Sequence, residues 1–454
     1  MVDRLSELTG ALPAGAVVTD PDIVDAYRFD RSNTKDAGSP LAVVRATCTA
    51  DVQQTLRWAT KHRVPVVPRG AGTGLSGGSL AIDGCITIST ERMRRIEIDP
   101  RSTVAIAQPG ALNVEVKNAA KEHGLWYPPD PSSFEICSIG GNVATNAGGL
   151  CCVKYGVTTD HVLGIEVVLA DGRALRLGGR AIKDVAGYDL KRLFIGSEGT
   201  LGIVTEAILR LRPPPPPSVT FAATFASIGD AGHAISAIAS RSKPSALELM
   251  DRTSVSAVEA QLHMGLDVTC GALLIGRSDA GGSRGAEEME AMLEACRFAN
   301  ATEVVFTDDE DEGEQFMTAR RMAIPAVEKQ GTVLIEDVGA PISKIAELVS
   351  GIALISEEEG TTIATIGHAG DGNFHPLVVF DRDDAQSTKR AEVAFGRVMD
   401  LALSLGGVVT GEHGIGTLKL PWLTDQLGED VVELSRKIKD VLDPLGILNP
   451  GKAI

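Results

Sequence analysis

Five consecutive prolines at positions 213–217, between ILRLR and SVTFAATF, limit what this chain can fold into more than any other feature. Each proline fixes φ and removes a backbone donor, so the run is stiff and extended, neither helix nor central strand. A chain of 454 residues exceeds one ordinary core and is expected to form two or three domains. The proline run is the natural boundary.

Before it, DVQQTLRWATKHR (51–63) has helical spacing, with Thr49 or Asp51 as its cap. VPVVP, CITIST, TVAIAQPG and GIEVVLADG read as strands ending in turn residues. After it, the strands SVTFAATF, ALLIGR, TEVVFT and TTIATIG alternate with the helical segments DAGHAISAIASR and GAEEMEAMLEACRFA. This order predicts an α+β protein, its second part an antiparallel sheet with helices on one face. The acidic run DDEDEGEQ (308–315) reads as a solvated loop and helix start, not a metal site.

A formal charge of −17 argues against nucleic acid as a partner. There is no transmembrane run, and MVDRLSELTG lacks the apolar stretch of a secretory signal, so a cytoplasmic location is expected. The seven cysteines include no C-x-x-C and read as reduced, mostly buried residues.

The 49 glycines point to ligand binding by backbone amides. Gly72, Gly74 and Gly77 satisfy G-x-G-x-x-G, and Glu97 stands about where a ribose-binding acid would. But GGSLAIDGCITIST follows as turn and strand, so the dinucleotide-fold reading is rejected. Converging N–H groups still make an anion-binding concavity without a helix, and Arg69 adds charge at its entrance. A second small-residue segment, Ser138 to Gly149, favours something flat and large lying against the backbone over a mere surface turn.

RGAGTGLSGGS, PPDPSS…CSIGGNVATNAGG and KDVAGYDLKRLFIGSEGTLGIVTEAILRL together resemble the FAD domain of the vanillyl-alcohol oxidase and p-cresol methylhydroxylase superfamily. Within it they look like the branch of D-lactate dehydrogenases, glycolate oxidase large subunits and D-2-hydroxyglutarate dehydrogenases. The resemblance runs nearly the whole chain, to LDPLGILNPGKAI. It implies a two-lobed FAD-binding domain over 1–212 and, after the 213–217 linker, a substrate or cap domain over 218–420 carrying a metal site. A small helical segment, 421–454, would return to the FAD domain. Pro68, Arg69, Gly70, Ala71, Gly72, Thr73, Gly74 and Ser76 would wrap the FAD pyrophosphate. Pro109, Pro131, Ser132, Ser138, Gly140, Gly141, Asn142, Ala144, Gly148 and Ile203 would line the rest of the cofactor, and Asn449 and Lys452 would bring the tail back to it. Relatives with covalent flavin carry histidine where Thr73 stands, so FAD is expected to be non-covalent.

His368-Ala-Gly-Asp-Gly-Asn-Phe-His375 lies between two apolar runs, TTIATIG and PLVVF, and Asp-Gly between such runs is a hairpin signal. With Asp371 and Gly372 as the central turn residues, His368 would stand directly opposite His375, Cβ atoms roughly 4.5–5.5 Å apart. Two imidazoles so placed can close on one ion. Gly411-Glu-His-Gly-Ile-Gly416, after an expected strand GGVVT, offers a further ligand and a base, its glycines permitting a kink.

H-x-x-D-G-N-x-H and G-E-H-G-I-G look like motifs of the same branch. Carried over, His368, His375 and Glu412 bind zinc or manganese, His413 is the general base, and Arg320 binds a substrate carboxylate, with Arg321 the competing candidate. The D-2-hydroxyglutarate enzymes carry lysine and asparagine where Ile335 and Leu377 stand here, which favours D-lactate, glycolate or another monocarboxylic 2-hydroxy acid. Electrons would leave to an external acceptor: a quinone, an electron-transfer flavoprotein, a cytochrome or a partner subunit. A homodimer is compatible with the sequence. The competing readings are a D-2-hydroxyglutarate dehydrogenase, a redox-neutral flavoenzyme resembling alkylglycerone-phosphate synthase, and a subunit of a multi-subunit glycolate oxidase.

Overall fold

The computed structural model describes residues 2–34 and 37–454, which divide into two units. The first comprises the chain up to Gly148, Gly156–Pro214 and Glu412–Ile454; the second comprises Gly149–Tyr155 and Pro215–Gly411. The chain thus enters the second unit inside the proline run, and leaves it at Gly411, earlier than the residue 420 expected from the sequence.

In the first unit, strands Ala42–Arg45, Ile86–Ser89 and Val66–Arg69 pair in parallel, with Val17–Val18 antiparallel at the edge. Ile86–Ser89 is buried at every position, as parallel strands covered on both faces must be. A second sheet runs in the order 96–99, 104–107, 203–210, 162–168, 174–178, all antiparallel. In Ile203–Arg210 buried residues alternate with half-buried ones, so one face meets the core. Helix Thr49–His62 buries Val52, Leu56 and Ala59 in the core with Ile86 and Ile88. Its cap residue is Cys48, not Thr49 or Asp51; the Asp51 carboxylate instead accepts from Thr47 N and Oγ1 at 2.8 and 2.7 Å.

The second unit is built on an eight-stranded antiparallel sheet, in the order 301–307, 219–225, 272–278, 246–251, 362–368, 373–380, 332–335, with Val338–Gly339 also on 373–380. The acidic run becomes the cap and first turn of helix Glu310–Arg321, Asp309 accepting from the N–H groups of Asp311 and Glu312. GGVVT does not form the expected strand. Val408 makes one two-way bridge to Gly339, after which Thr410 Oγ1 and Gly411 N donate to the Asp337 carboxylate and carry the backbone out of the ladder. Among the described residues no helix is long and apolar enough to cross a membrane.

Candidate active site

In the first unit the glycine-rich loop leaves strand Val66–Arg69 without entering a helix, which is why the dinucleotide-fold reading fails. Ala71 N donates to Ser138 Oγ at 3.3 Å, and the same oxygen caps the short helix Ile139–Thr145 through Gly141 N. Reading from sequence missed that helix. Gly140 N donates to Pro109 O, and a Cβ on Gly140 would fall 2.5 Å from Pro109 Cβ, so only glycine permits this approach. Asn142 Oδ1 accepts from Asn113 Nδ2 at 3.1 Å, and Ala144 O accepts from Glu198 N. Pro131 is buried and Ser132 exposed. Ile203 packs in the core with Val168 and Ala170. Ser76 Oγ and Ser79 Oγ are buried without a protein partner, as residues that hydrogen-bond a bound group would be. Two buried serine hydroxyls without a protein partner, beside a loop of small residues, fit a bound cofactor such as FAD.

The chain's tail closes on this loop. Asn449 Nδ2 donates to Gly78 O at 2.9 Å and Glu198 O at 2.7 Å, and Lys452 Nζ donates to Leu80 O. Burial pulls the Lys452 ammonium down to about 8. Glu412 and His413 also lie in this unit, Nε2 of His413 3.7 Å from Glu412 Oε1. Glu412 abuts Gly148, where a Cβ would sit 2.4 Å from its Oε2. Their loop is fixed by Glu198, whose carboxylate accepts from Ile415 N at 2.7 Å and Gly416 N at 2.9 Å. Burial pushes the Glu198 carboxyl up, although those two N–H groups pull it down.

In the second unit the hairpin forms with a longer turn than expected. His368 pairs with Asn373, not His375, and Ile366 pairs with His375. Residues 369–372 make a four-residue turn in which Asp371 N and Gly372 N both turn back to His368 O. The turn is pinned outside the hairpin, Gly370 N donating to Leu247 O and Ala340 N to Gly372 O. Strand parity keeps His368, Asn373 and His375 on one face. The two imidazoles are diagonal neighbours, centroids 5.1 Å apart and planes at 82°, each with a ring nitrogen within 4.8 Å of the other's. Each residue is 3% exposed.

Their surroundings are charged. His368 Nδ1 lies 2.9 and 3.0 Å from the two oxygens of Glu248, the residue opposite it on the next strand. Arg320 Nε stands 2.8 Å from Glu248 Oε2, off the hydrogen-bond line, while Nη2 is buried without a protein partner. Arg321 instead turns outward to Glu314. His375 Nδ1 lies 3.3 Å from Glu336 O and 3.9 Å from Asp337 Oδ1. Leu377 shares the face of His375 and pairs with Ile335, both buried. Gly411 is held against this hairpin, since a Cβ there would fall 2.4 Å from Asn373 Cγ.

Residues 214–453 match the family of FAD linked oxidases, C-terminal domain, and residues 40–178 the FAD binding domain. The chain belongs to the FAD-linked oxidases. This FAD-linked oxidase is 41% identical to glycolate oxidase subunit GlcD of Bacillus subtilis over 94% of the chain and 91% of the relative. It is 34% identical to a D-lactate dehydrogenase of Archaeoglobus fulgidus over 100% and 99%. Its fold superposes on p-cresol methylhydroxylase with a TM-score of 0.83 at 18% identity, covering 100% of this chain and 96% of that one. Alkyldihydroxyacetonephosphate synthase, with a TM-score of 0.76 at 18% identity over 99% and 84%, has the same fold. The chain is an FAD-linked oxidoreductase among relatives named for glycolate and D-lactate.

Reading from sequence missed Glu248, Asp337 and Glu198 in this oxidase. A glutamate inside the apolar strand ALELM was the one available signal, because a lone carboxylate there requires a partner. Nothing local marks the partners of Asp337 and Glu198, which lie far along the chain.

Proposed function

We infer that this oxidoreductase converts a small D-2-hydroxy acid, D-lactate or glycolate in type, to the 2-oxo acid, passing the C2 hydride to non-covalently held FAD. The observation that carries the reading is the pair of buried imidazoles on one hairpin face, backed by a buried carboxylate and a buried arginine. His368 and His375 would hold one divalent ion, zinc or manganese, through Nε2, since their Nδ1 sides face Glu248 and Glu336 O. Glu412 is the proposed third ligand. It directly follows Gly411, and consecutive Cα atoms are about 3.8 Å apart.

When bound, the ion would supply Lewis acidity to the substrate's hydroxyl, and the flavin would supply the hydride acceptor. His413 takes the hydroxyl proton, imidazole being the side chain best suited to general-base work near neutrality. Arg320 binds the substrate carboxylate, its buried Nη2 offering the donor. Thr73 has no ring nitrogen to bond covalently to flavin. In functional terms, the first unit would be the cofactor part and the second, with the His368–His375 hairpin, the substrate part. The electron acceptor is external, and the printed name of the GlcD relative, a subunit, supports a partner subunit in that role.

The Ile335–Leu377 pair favours a monocarboxylic acid, because a second carboxylate buried against apolar side chains has no partner. Dye-linked turnover should favour D-lactate or glycolate over D-2-hydroxyglutarate by about tenfold or more in kcat/KM, a factor worth about 1.4 kcal/mol. The opposite order would support the dicarboxylate reading. No turnover with any 2-hydroxy acid would favour an obligate subunit or a redox-neutral flavoenzyme.

A further inference from the structure

On strand Ala246–Asp251, Glu248 is fully buried between apolar neighbours, Leu247 and Leu249. A carboxylate is costly there unless charge and hydrogen bonds compensate it. Glu248 has two partners: both its oxygens reach His368 Nδ1, and Oε2 is ion-paired with Arg320 Nε at 2.8 Å. Register explains the first contact, since Glu248 and His368 are cross-strand partners. The second comes from helix Glu310–Arg321, which lies over the same face: a Cβ on its Gly313 would stand 2.6 Å from Thr220 Oγ1, and Thr220, Arg277 and Ala246 are in register across the sheet.

We propose that Glu248 is the positioning residue that couples metal binding to substrate binding. Accepting from Nδ1–H, it fixes His368 as the tautomer whose Nε2 lone pair meets the ion, and it makes that nitrogen a stronger ligand. Through Arg320 Nε it also holds the guanidinium, leaving Nη2 for the substrate carboxylate. One buried carboxylate therefore sets the geometry of both groups that grip a 2-hydroxy acid. The inference rests on the metal and arginine roles given above.

The test uses FAD-loaded protein carrying Glu248→Gln, Glu248→Asp or His368→Ala. Zinc and manganese affinity are read by competition with a chromophoric chelator, without turnover. KM and kcat for D-lactate and glycolate are then measured at saturating metal. Glu248→Gln should bind metal 10- to 100-fold more weakly, the usual loss when a carboxylate behind a ligating histidine is removed. It should also raise KM proportionally more than it lowers kcat. If Glu248→Gln prevents folding, the shorter Glu248→Asp, which cannot span both partners, gives the same readout and should lose at least one of the two. Wild-type metal affinity and KM in a folded Glu248 variant would overturn the coupling, provided His368→Ala has lost the metal. If His368→Ala binds metal as the wild type does, the metal reading itself fails instead.

Discussion

His368 and His375 meet diagonally across the hairpin, because the turn takes four residues where Asp-Gly alone would take two. That both share one face was legible from the Asp-Gly turn between them; their exact partners were not, since Leu247 and Ala340, remote in sequence, hold the turn. His413 was legible as a candidate base. Its support was not, because Glu198 lies 217 residues from Ile415. Replacing His413 with Asn should preserve FAD and metal content yet slow flavin reduction 10²- to 10⁴-fold, the usual contribution of a general base. Stopped-flow reduction checks this, and a rate near that of the wild type would remove His413 from the mechanism. The sequence resemblance put Arg320 first for the substrate carboxylate, with Arg321 competing. Burial separates them: Arg320 is 1% exposed and faces Glu248, whereas Arg321 pairs with Glu314.

At the scale of elements, strands with strong apolar runs were readable, and capping was less so. Helix Arg252–Leu262 begins at Asp251, whose carboxylate accepts from Ser254 N at 2.8 Å. Enclosure of that carboxyl pushes its pKa from 3.8 up to about 6, outweighing the Ser254 bond that pulls it down. The folded state then binds the proton more tightly than the unfolded chain, so this group's contribution to stability falls as pH rises from 3.8 to about 6 and is flat above. Asparagine caps as well as aspartate without the charge. Asp251→Asn should therefore gain stability relative to wild type across that window, measured by denaturant unfolding at pH 4, 5 and 6.5. A pH-independent difference would contradict the shift. GGVVT failed as a strand because Asp337 captures the backbone that follows it, an interaction set by tertiary structure rather than local sequence.

Over the whole molecule, the chain crosses from one unit to the other between Pro214 and Pro215, inside the proline run. Reading from sequence did not find that Gly149–Tyr155 belongs to the second unit, where Lys154 and Tyr155 both reach Asp279. In the proposed function, a D-2-hydroxy acid held by the metal and arginine residues reduces the flavin. Anaerobic mixing tests it: the flavin band is followed after adding D-lactate, L-lactate or glycolate to metal-loaded protein and to protein stripped with a chelator. D-lactate or glycolate, but not L-lactate, should bleach the flavin, with bleaching lost on stripping and restored by zinc or manganese. Equal bleaching by both lactate enantiomers, or full bleaching after the metal is removed, would contradict it.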